Sequence, residues 1–369
     1  MKVIRMKICL VGGIFDRPEA IRSKQLVTPE TVLLDGFRKA GVDVRAVGHA
    51  GFQPSDDYDI IHVHHFGRAA LKMASSHCRA RVFTGHNGLI PTGWERSRLR
   101  RYAFQYVVDK AQAYVALSHA EARYYAGVTN ADKIHTIPNG IPADVFRAAG
   151  NLRKRADKER YDVLYVGQLI DCKGVNVLLE AMQRLRKQRP VHLRLVYHNA
   201  QLEAQLRQQA KDLGIAEHVE FVGIRGPSEL AEEYHQADLL VLPSFADCLP
   251  SVVTEAFLCG TPVVAGGVCG VPEQVGPYGL AVPPGDSVAL ANAMETILAD
   301  RPRWHGMAAD MRAYAEQTFK PETMVARHLA LYRDLIEGRT VPAKRRADWM
   351  DPVVRLAIKA YWRDRRAAA

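Results

Sequence analysis

Short apolar runs alternate with longer amphipathic segments along the chain, and this alternation predicts its secondary structure. The runs are rich in Val, Ile and Leu, which is typical of strands buried on both faces of a parallel sheet. Between them, apolar positions recur every three to four residues, as in helices. The predicted strands are Lys7–Val11, Val42–Val47, Tyr58–His64, Arg81–Thr84, Ala113–Leu117, Lys133–Pro138, Asp162–Val166, Val191–Tyr197, Val219–Gly223, Asp238–Pro243 and Val263–Ala265.

The segments between these strands supply the predicted helices. They are Thr28–Ala40, Ala69–Ser75, Trp94–Ala111, Val175–Gln188, Pro227–Ala237, a helix opened by Leu249-Pro250-Ser251 and closed at Cys259-Gly260, and the helical stretch Arg303–Leu335. Strands that alternate with helices indicate an α/β chain with doubly wound parallel sheets. The length of 369 residues fits two domains, and the charged, weakly patterned residues 147–160 are the predicted linker. We therefore expect domains at residues 1–150 and 151–325, followed by a crossover helix and a basic extension at 326–369.

Composition narrows the class of protein. The net charge of +10 suits nucleic acid, an anionic membrane or phosphorylated substrates. The chain carries no helix-turn-helix, zinc-finger or RNA-binding signature, which makes nucleic acid the least favoured partner. No apolar run is long enough to span a membrane, and the N-terminal residues resemble a first strand rather than a signal peptide. The six cysteines form no C-x-x-C pair, which favours a reducing cytoplasm over a disulfide framework or a zinc site.

The stretch from Val241 to Gly270 carries the main candidate chemistry. An apolar strand leads into a turn with Asp247, a helix beginning near Leu249-Pro250-Ser251 follows, and Glu255 lies inside that helix. The carboxyl ends of parallel strands are where such sheets bind ligands, and a helix N-terminus attracts phosphate. Carboxylates accept hydrogen bonds from the hydroxyls of ribose or a hexose. A plain strand–helix–strand unit with a solvated Asp gives the same local pattern, so the companion motifs decide between the two.

This stretch resembles the E-x7-E segment of retaining GT-B glycosyltransferases, in the large mannosyl- and glucosyltransferase family four. The residues EAFLCGTPVVA at 255–265 match the family's EAMACGTPVVA, with Asp247 in place of the first Glu. The resemblance implies a GT-B architecture, in which two Rossmann-like domains with doubly wound parallel sheets face a cleft. It also implies that Asp247 holds sugar hydroxyls, Glu255 holds the ribose, and the start of the helix at Leu249, Pro250 and Ser251 holds phosphate.

Further strings in the second half resemble the same family. VGQLIDCKG at 166–174 is similar to its V-G-R-L-x-x-x-K-G, whose Arg and Lys hold the donor pyrophosphate. Lys173 matches and Gln168 replaces the Arg, which exchanges a charge-assisted hydrogen bond for a neutral one. Ile224 and Arg225 follow a strand where relatives contact the nucleotide base. The family's Gly-rich segment after the strand Val191–Tyr197 is replaced by HNAQ at 198–201, so no role is carried onto those residues.

The first half carries weaker matches. Gly12 and Gly13 lie where the family's Gly-rich loop approaches the donor phosphates, and His86 lies where the family has an active-site histidine. A tight turn and an ordinary loop histidine are the alternatives. The D-x-D string at 57–59 precedes a strand, unlike the metal site of other glycosyltransferases, and we predict no metal site and no cofactor beyond the nucleotide sugar. The basic, aromatic helix Trp94–Ala111 suits either lipid headgroups or packing on the core.

These features predict a retaining glycosyltransferase that moves a hexosyl unit from a UDP- or GDP-sugar, held by the second domain, to a saccharide or lipid-linked acceptor on the first. His86, Asp247 and Lys173 are its predicted catalytic residues. Bacterial surface polysaccharide, lipopolysaccharide or glycolipid assembly is the expected setting. The alternatives are a sugar-nucleotide epimerase of the same architecture and a non-catalytic nucleotide-sugar-binding partner subunit.

The composition of the C-terminal extension indicates where in the cell the protein is expected. Residues 339–369 carry nine basic and three acidic residues, mixed with apolar positions at helical spacing. Each basic residue near an anionic bilayer contributes about 1 kcal/mol of attraction. We therefore expect a cytoplasmic protein, with the inner face of the cytoplasmic membrane as the place of any lipid contact. Packing of the extension on the first domain is the other interpretation.

Overall fold

The chain forms two compact units in a computed structural model that describes residues 6–18, 28–55, 57–86, 98–127, 129–147 and 159–339. Unit 1 contains Met1–Arg22, Thr28–Ile137 and Glu322–Ala369, whereas unit 2 contains Ser23–Val27 and Pro138–Pro321. The chain thus builds most of unit 1, then unit 2, and finally returns to unit 1.

Unit 1 is built on a six-stranded parallel sheet with the order β2-β1-β3-β4-β5-β6. Its strands are β1 Lys7–Val11, β2 Asp43–Val47, β3 Ile60–His64, β4 Ala80–Thr84, β5 Ala113–Ala116 and β6 Ile134–Thr136. Its helices begin with α1 Pro29–Lys39, α2 Arg68–Ala74, α3 Arg98–Lys110 and α4 His119–Ala126, and short 3-10 helices lie at Gly13–Asp16 and Ala131–Lys133. The strand order reverses between β1 and β3, which makes this pair the switch point where such sheets bind ligands.

Unit 2 repeats this plan with the strand order β12-β11-β10-β7-β8-β9. Its strands are β7 Tyr161–Val166, β8 Val191–Val196, β9 Val219–Gly223, β10 Leu239–Leu242, β11 Val263–Gly266 and β12 Gly279–Val282. Its helices are α5 Asp144–Arg147, α6 Val175–Arg186, α7 Glu203–Asp212, α8 Pro227–Gln236, α9 Ser251–Leu258, α10 Val271–Val275, α11 Ser287–Ala299, α12 Arg301–Gly306 and α13 Ala308–Thr318, with 3-10 helices at Asp171–Lys173, Ala216–His218 and Gly276–Tyr278. Here the order reverses between β7 and β10.

The predicted α/β class with doubly wound parallel sheets is confirmed, because every strand pair in both sheets is parallel. The stretch expected to be helical at Arg303–Leu335 is helical, and it comprises three helices: α12, α13 and a last helix, α14 Pro321–Ile336. Proline at the first position of α14 starts a new helix, as this residue favours. Strand β12 and helices α5, α7, α10 and α11 were not predicted.

Helix α14 completes the core of unit 1. The ring of Tyr332 is fully buried and lies 5.7 Å from Phe37 of α1. The hydroxyl of Tyr332 is hydrogen-bonded to Nδ1 of His62 in β3 at 2.6 Å. A Cβ atom on Gly36 would lie 2.2 Å from Cγ2 of Val325, so this glycine admits α14 to its place. The last described helix therefore packs against the first strands and helix of the chain.

Within the described ranges, no helix is both long enough and apolar enough to cross a membrane.

Candidate active site

Two loops meet at the switch point of the second sheet. The first follows β7 and the second follows β10, and the amide of Phe245 donates to the carbonyl of Cys172 at 2.9 Å. Gly174 adopts a left-handed conformation, with φ of 65°. A Cβ atom there would lie 2.3 Å from the carbonyl oxygen of Pro243. Only glycine satisfies both requirements, so Gly174 fixes the close approach of the two loops.

This approach brings Lys173 and Asp247 together. The ammonium of Lys173 donates to both carboxylate oxygens of Asp247, at 2.7 and 2.8 Å. The side chains are 19% and 14% exposed, respectively. The sequence predicted both residues at this end of the sheet, but it did not predict that they contact each other. A partly buried ion pair thus lies at the switch point of the second sheet.

Two helices begin at the same edge of the sheet. The N-caps of α6 and α9 are Gly174 and Pro250, and neither makes a side-chain capping hydrogen bond. Ser251, expected as a cap, is instead the first residue of α9. Backbone N–H groups at the start of an α-helix have no partner within the helix, and the helix dipole favours negative charge there. Together with the ammonium of Lys173, these two helix starts form an arrangement suited to a diphosphate.

Glu255 is buried and is not a solvated surface carboxylate. Its residue is 2% exposed, and its carboxylate accepts a hydrogen bond from the hydroxyl of Tyr234 at 2.8 Å. Burial raises the pKa of Glu255, although hydrogen bonds from Tyr234 and Ser251 counteract part of that rise. Its predicted contact with a ribose stays a prediction.

The other predicted donor residues lie at the same edge. Gln168 is partly buried just after β7, and its carbonyl accepts from the hydroxyl of Tyr165 at 2.7 Å. Leu249 is buried before α9, whereas Ile224 is 71% exposed beyond β9. Arg225 forms an ion pair with Glu233 at 3.3 Å. These positions surround the ends of β7, β9 and β10, where the sequence placed them.

Two residues of this region were missed. Gln274 of α10 donates to the carbonyl of Pro250 at 2.9 Å and to the hydroxyl of Thr254 at 3.0 Å, which fixes the start of α9. The hydroxyl of Ser244 is buried beside the switch point without a hydrogen-bond partner. Gln274 follows directly on GVPE at 270–273, which resembles the family's G-x-P-E, so its position in the sequence was the available signal.

Unit 1 presents a second cluster at its own switch point. Gly12 follows β1, and a Cβ atom there would lie 2.9 Å from Cγ of Glu30 in the first turn of α1. Gly13 begins the short 3-10 helix that follows β1. His86 follows β4 in a left-handed conformation, and one of its ring nitrogens lies 2.7 Å from Nδ1 of His64. The predicted Gly12, Gly13 and His86 thus lie at the carboxyl edge of the first sheet.

Histidines fill this edge. His64 is buried at the end of β3, and His65 contacts the carboxylate of Glu30 at 3.2 Å. Loss of contact with water lowers the pKa of His86 to about 3 and keeps that of His64 well below its usual range. The rings of His64 and His86 are therefore neutral at physiological pH. The sequence singled out only His86 for a role, although the H-x-H-H string at 62–65 was visible.

The basic helix predicted at Trp94–Ala111 is described from Arg98 onwards as α3. Phe104 and Val107 are buried in the core of unit 1, which confirms an aromatic core face. Arg101 and Tyr102 are exposed on the helix, and Tyr102 is 56% exposed. This helix therefore combines core packing with a basic, aromatic outer surface.

Two six-stranded parallel sheets with loops of this kind at their switch points define the GT-B class of glycosyltransferases. Residues 151–318 match the family described as glycosyl transferases group 1, and residues 44–145 match glycosyltransferase family 4. The chain therefore belongs to the family-4 glycosyltransferases of the GT-B class. The resemblance read from its motifs is thereby confirmed, and the epimerase alternative is not favoured.

Curated relatives include two that are informative by name. The D-inositol 3-phosphate glycosyltransferase of Stackebrandtia nassauensis is 31% identical over 321 residues, covering 79% of this chain and 72% of the relative. The GDP-mannose-dependent alpha-(1-6)-phosphatidylinositol monomannoside mannosyltransferase of Mycolicibacterium smegmatis is 30% identical, covering 67% of this chain and 68% of the relative.

Solved structures share the fold. The sucrose-phosphate synthase of Thermosynechococcus elongatus has a TM-score of 0.75 at 22% identity and covers 90% of this chain and all of its own. The Anabaena protein HepE, in complex with UDP and glucose, has a TM-score of 0.70 at 21% identity and covers 89% of this chain and 99% of its own. At this identity the likeness concerns the fold alone.

Proposed function

We propose that this glycosyltransferase is a retaining hexosyltransferase that uses a UDP- or GDP-sugar and acts on a saccharide or lipid-linked hydroxyl. The observation that carries the proposal is the Lys173–Asp247 pair beside the starts of α6 and α9. A dianionic diphosphate needs a cation and N–H donors, and a hexose needs an acceptor for its hydroxyls. The site provides these within two neighbouring loops.

Donor binding is expected to exchange partners within this pair. The diphosphate takes the ammonium of Lys173 from Asp247, and the released carboxylate then accepts hydrogen bonds from sugar hydroxyls. Leu249, Pro250 and Ser251 place the start of α9 against the phosphates. In the same proposal Gln168 adds a neutral hydrogen bond, Glu255 holds the ribose, and the backbone at Ile224 and Arg225 meets the base.

The reaction follows from where charge develops. The bond between the anomeric carbon and the donor phosphate breaks, and the leaving diphosphate gains negative charge that Lys173 and the helix starts stabilise. The acceptor hydroxyl attacks from the same face and gives its proton to the leaving phosphate oxygen. Gly12, Gly13 and His86 of unit 1 are the proposed contacts to the donor phosphates and the transferred sugar. Such front-side attack retains the anomeric configuration.

Screening nucleotide sugars against the full chain tests this proposal. One UDP- or GDP-sugar at about 100 times its Kd should stabilise the folded state by about 2.7 kcal/mol. For a unit of this size that corresponds to a rise in Tm of about 5–10 °C. Slow release of the nucleotide, and retained configuration in the NMR spectrum of the product, complete the expected result.

Other outcomes separate the parts of the proposal. An inverted anomeric configuration would overturn the retaining mechanism while leaving the donor site intact. Binding without release, with saccharide and lipid acceptors present, would support the non-catalytic partner subunit instead. Failure of every UDP- and GDP-sugar to bind would remove the donor-site assignment itself.

We also propose a lipid-linked acceptor reached at the inner face of the cytoplasmic membrane, in surface polysaccharide or glycolipid assembly. Support comes from the net charge of +10, the exposed Arg101 and Tyr102 of α3, and the relative that acts on a phosphatidylinositol mannoside. The basic extension at 340–369 lies outside the described residues. The full chain should sediment with vesicles containing anionic phosphatidylglycerol, and 0.5 M salt should release it. Equal binding to neutral phosphatidylcholine vesicles would contradict electrostatic contact.

A further inference from the structure

We propose that unit 1 binds a divalent transition-metal ion, with Zn²⁺ as the reference ion, through Glu30, His65 and His86. The site lies at the switch point of the first sheet. It goes beyond the proposed function, and its test requires no sugar nucleotide because all three ligands belong to unit 1. An ion held by His86 excludes the contact with the transferred sugar that is proposed for the same ring.

The distances suit a metal ion. The three residues each bring one ligand atom to within 4.8 Å of the others. Oε1 of Glu30 and Nε2 of His65 are already 3.2 Å apart. Ligands held about 2.0–2.1 Å from a tetrahedral zinc ion lie about 3.4 Å from one another. A shift of the His86 ring from within 4.8 Å of the other two ligand atoms completes the set. Two histidines with one carboxylate are a common zinc-binding combination that leaves a position open.

The backbone holds two of the ligands in an unusual conformation. His65 and His86 have φ values of 67° and 56°, and among the described residues only Cys269 is a further non-glycine with positive φ. Such conformations are uncommon for residues with a side chain and concentrate at functional sites. Here the strain occurs at the two histidines whose rings converge on Glu30, with ring centroids 4.6 Å apart.

Neighbouring groups prepare the ligands. His64 lies against His86 at 2.7 Å, so one ring nitrogen of His86 is hydrogen-bonded while the other is available to a metal. The second ring nitrogen of His64 is buried and has no hydrogen-bond partner. Gly12, lacking a side chain, leaves room for Glu30 beneath the end of β1. The Glu30 side chain is thus packed into a defined place beside the histidines.

The chemistry of the donor atoms decides which ion suits the site. Neutral imidazole with one carboxylate suits Zn²⁺, Cu²⁺ or Ni²⁺, whereas Mg²⁺ prefers oxygen ligands alone.

Calorimetric titration of the metal-free, reduced full chain with zinc chloride tests the site. One equivalent should bind, and magnesium chloride should give no heat. Glu30→Gln and His65→Asn should each weaken zinc binding at least tenfold. Asparagine is chosen for position 65 because it tolerates positive φ. His77→Asn, which removes an exposed histidine of the same unit, is the matched control and should bind as wild type does.

Cobalt spectroscopy identifies the ligands directly. Co²⁺ at this site should give the visible bands of a low-coordinate nitrogen and oxygen site, without a thiolate charge-transfer band. The thiols of Cys248 and Cys269, whose sulfur atoms are 3.2 Å apart, are the competing place for a metal. Zinc binding that survives Glu30→Gln and His65→Asn, or that disappears in Cys269→Ser, would overturn the proposal. Melting curves in chelator establish that each variant is folded.

Discussion

Replacing Lys173 with alanine is expected to weaken donor binding about 10–100-fold and to lower kcat about 10²–10³-fold. The ammonium of Lys173 lies 2.7 Å from the carboxylate of Asp247 at the switch point of unit 2. A charge-assisted hydrogen bond contributes about 1.5–3 kcal/mol, and its contribution grows as charge develops on the leaving diphosphate. Calorimetry with the donor and initial rates of transfer measure the two effects.

Controls distinguish a lost phosphate contact from a damaged fold. Lys211→Ala removes an exposed lysine of α7 in the same unit and should change neither quantity. Lys173→Ala leaves Asp247 without its cation, so the double variant Lys173→Ala with Asp247→Asn removes the uncompensated charge. If the double variant recovers stability, the instability of Lys173→Ala comes from the uncompensated charge. The single variant Asp247→Asn measures how much donor affinity the carboxylate contributes, and any further loss in the double variant is due to the ammonium. A Lys173→Ala enzyme as active as wild type would place the phosphate site elsewhere.

Replacing Tyr332 with alanine is expected to destabilise unit 1 by about 3–5 kcal/mol, the usual cost of removing a buried aromatic side chain. The ring is fully buried against Phe37, and the hydroxyl is bonded to the buried His62. Tyr332→Phe removes only the hydroxyl and should cost about 1–3 kcal/mol, since it leaves a buried imidazole nitrogen unpaired. Urea denaturation measures both changes.

Hydrogen exchange locates this effect within the chain. Peptides covering β1 and β3 should exchange faster in Tyr332→Ala, whereas peptides covering β7 and β10 should be unchanged. Arg327→Ala, an exposed residue of the same helix, should leave exchange and stability as in wild type. Loss of protection in unit 2 alone would show that α14 does not belong to the core of unit 1.

Local sequence pattern predicted most of the fold because strands and helices are encoded over a few residues. Val219–Gly223 was predicted with the bounds it has, and Thr28 and Ala40 of the predicted first helix are the caps of α1. Strand β12 was missed because Gly279–Val282 is short and begins with glycine, which strands disfavour. Helix breaks after Gly306 and before Pro321 were missed because apolar spacing continues across them.

The sequence predicted where the residues of the candidate site lie, but it did not predict which of them contact each other. Motif spacing placed Lys173 and Asp247 at the ends of two strands, but their ion pair depends on β7 and β10 being adjacent, which the strand order alone determines. The burial of Glu255 against Tyr234 likewise depends on the packing of α8 and α9. The histidine cluster was missed because its members come from three segments, namely the start of α1 and the ends of β3 and β4, and only His86 was assigned a role from its motif.

The return of α14 to unit 1 bears on how the protein is made. Everything in unit 1 up to Ile137 leaves the ribosome before unit 2, yet the helix that covers Phe37 and His62 is among the last described parts of the chain. At usual rates of synthesis the intervening stretch takes roughly 10–40 s. During that time the nascent first unit exposes the apolar surface that α14 later covers. Unit 2 is therefore expected to fold before unit 1 is complete.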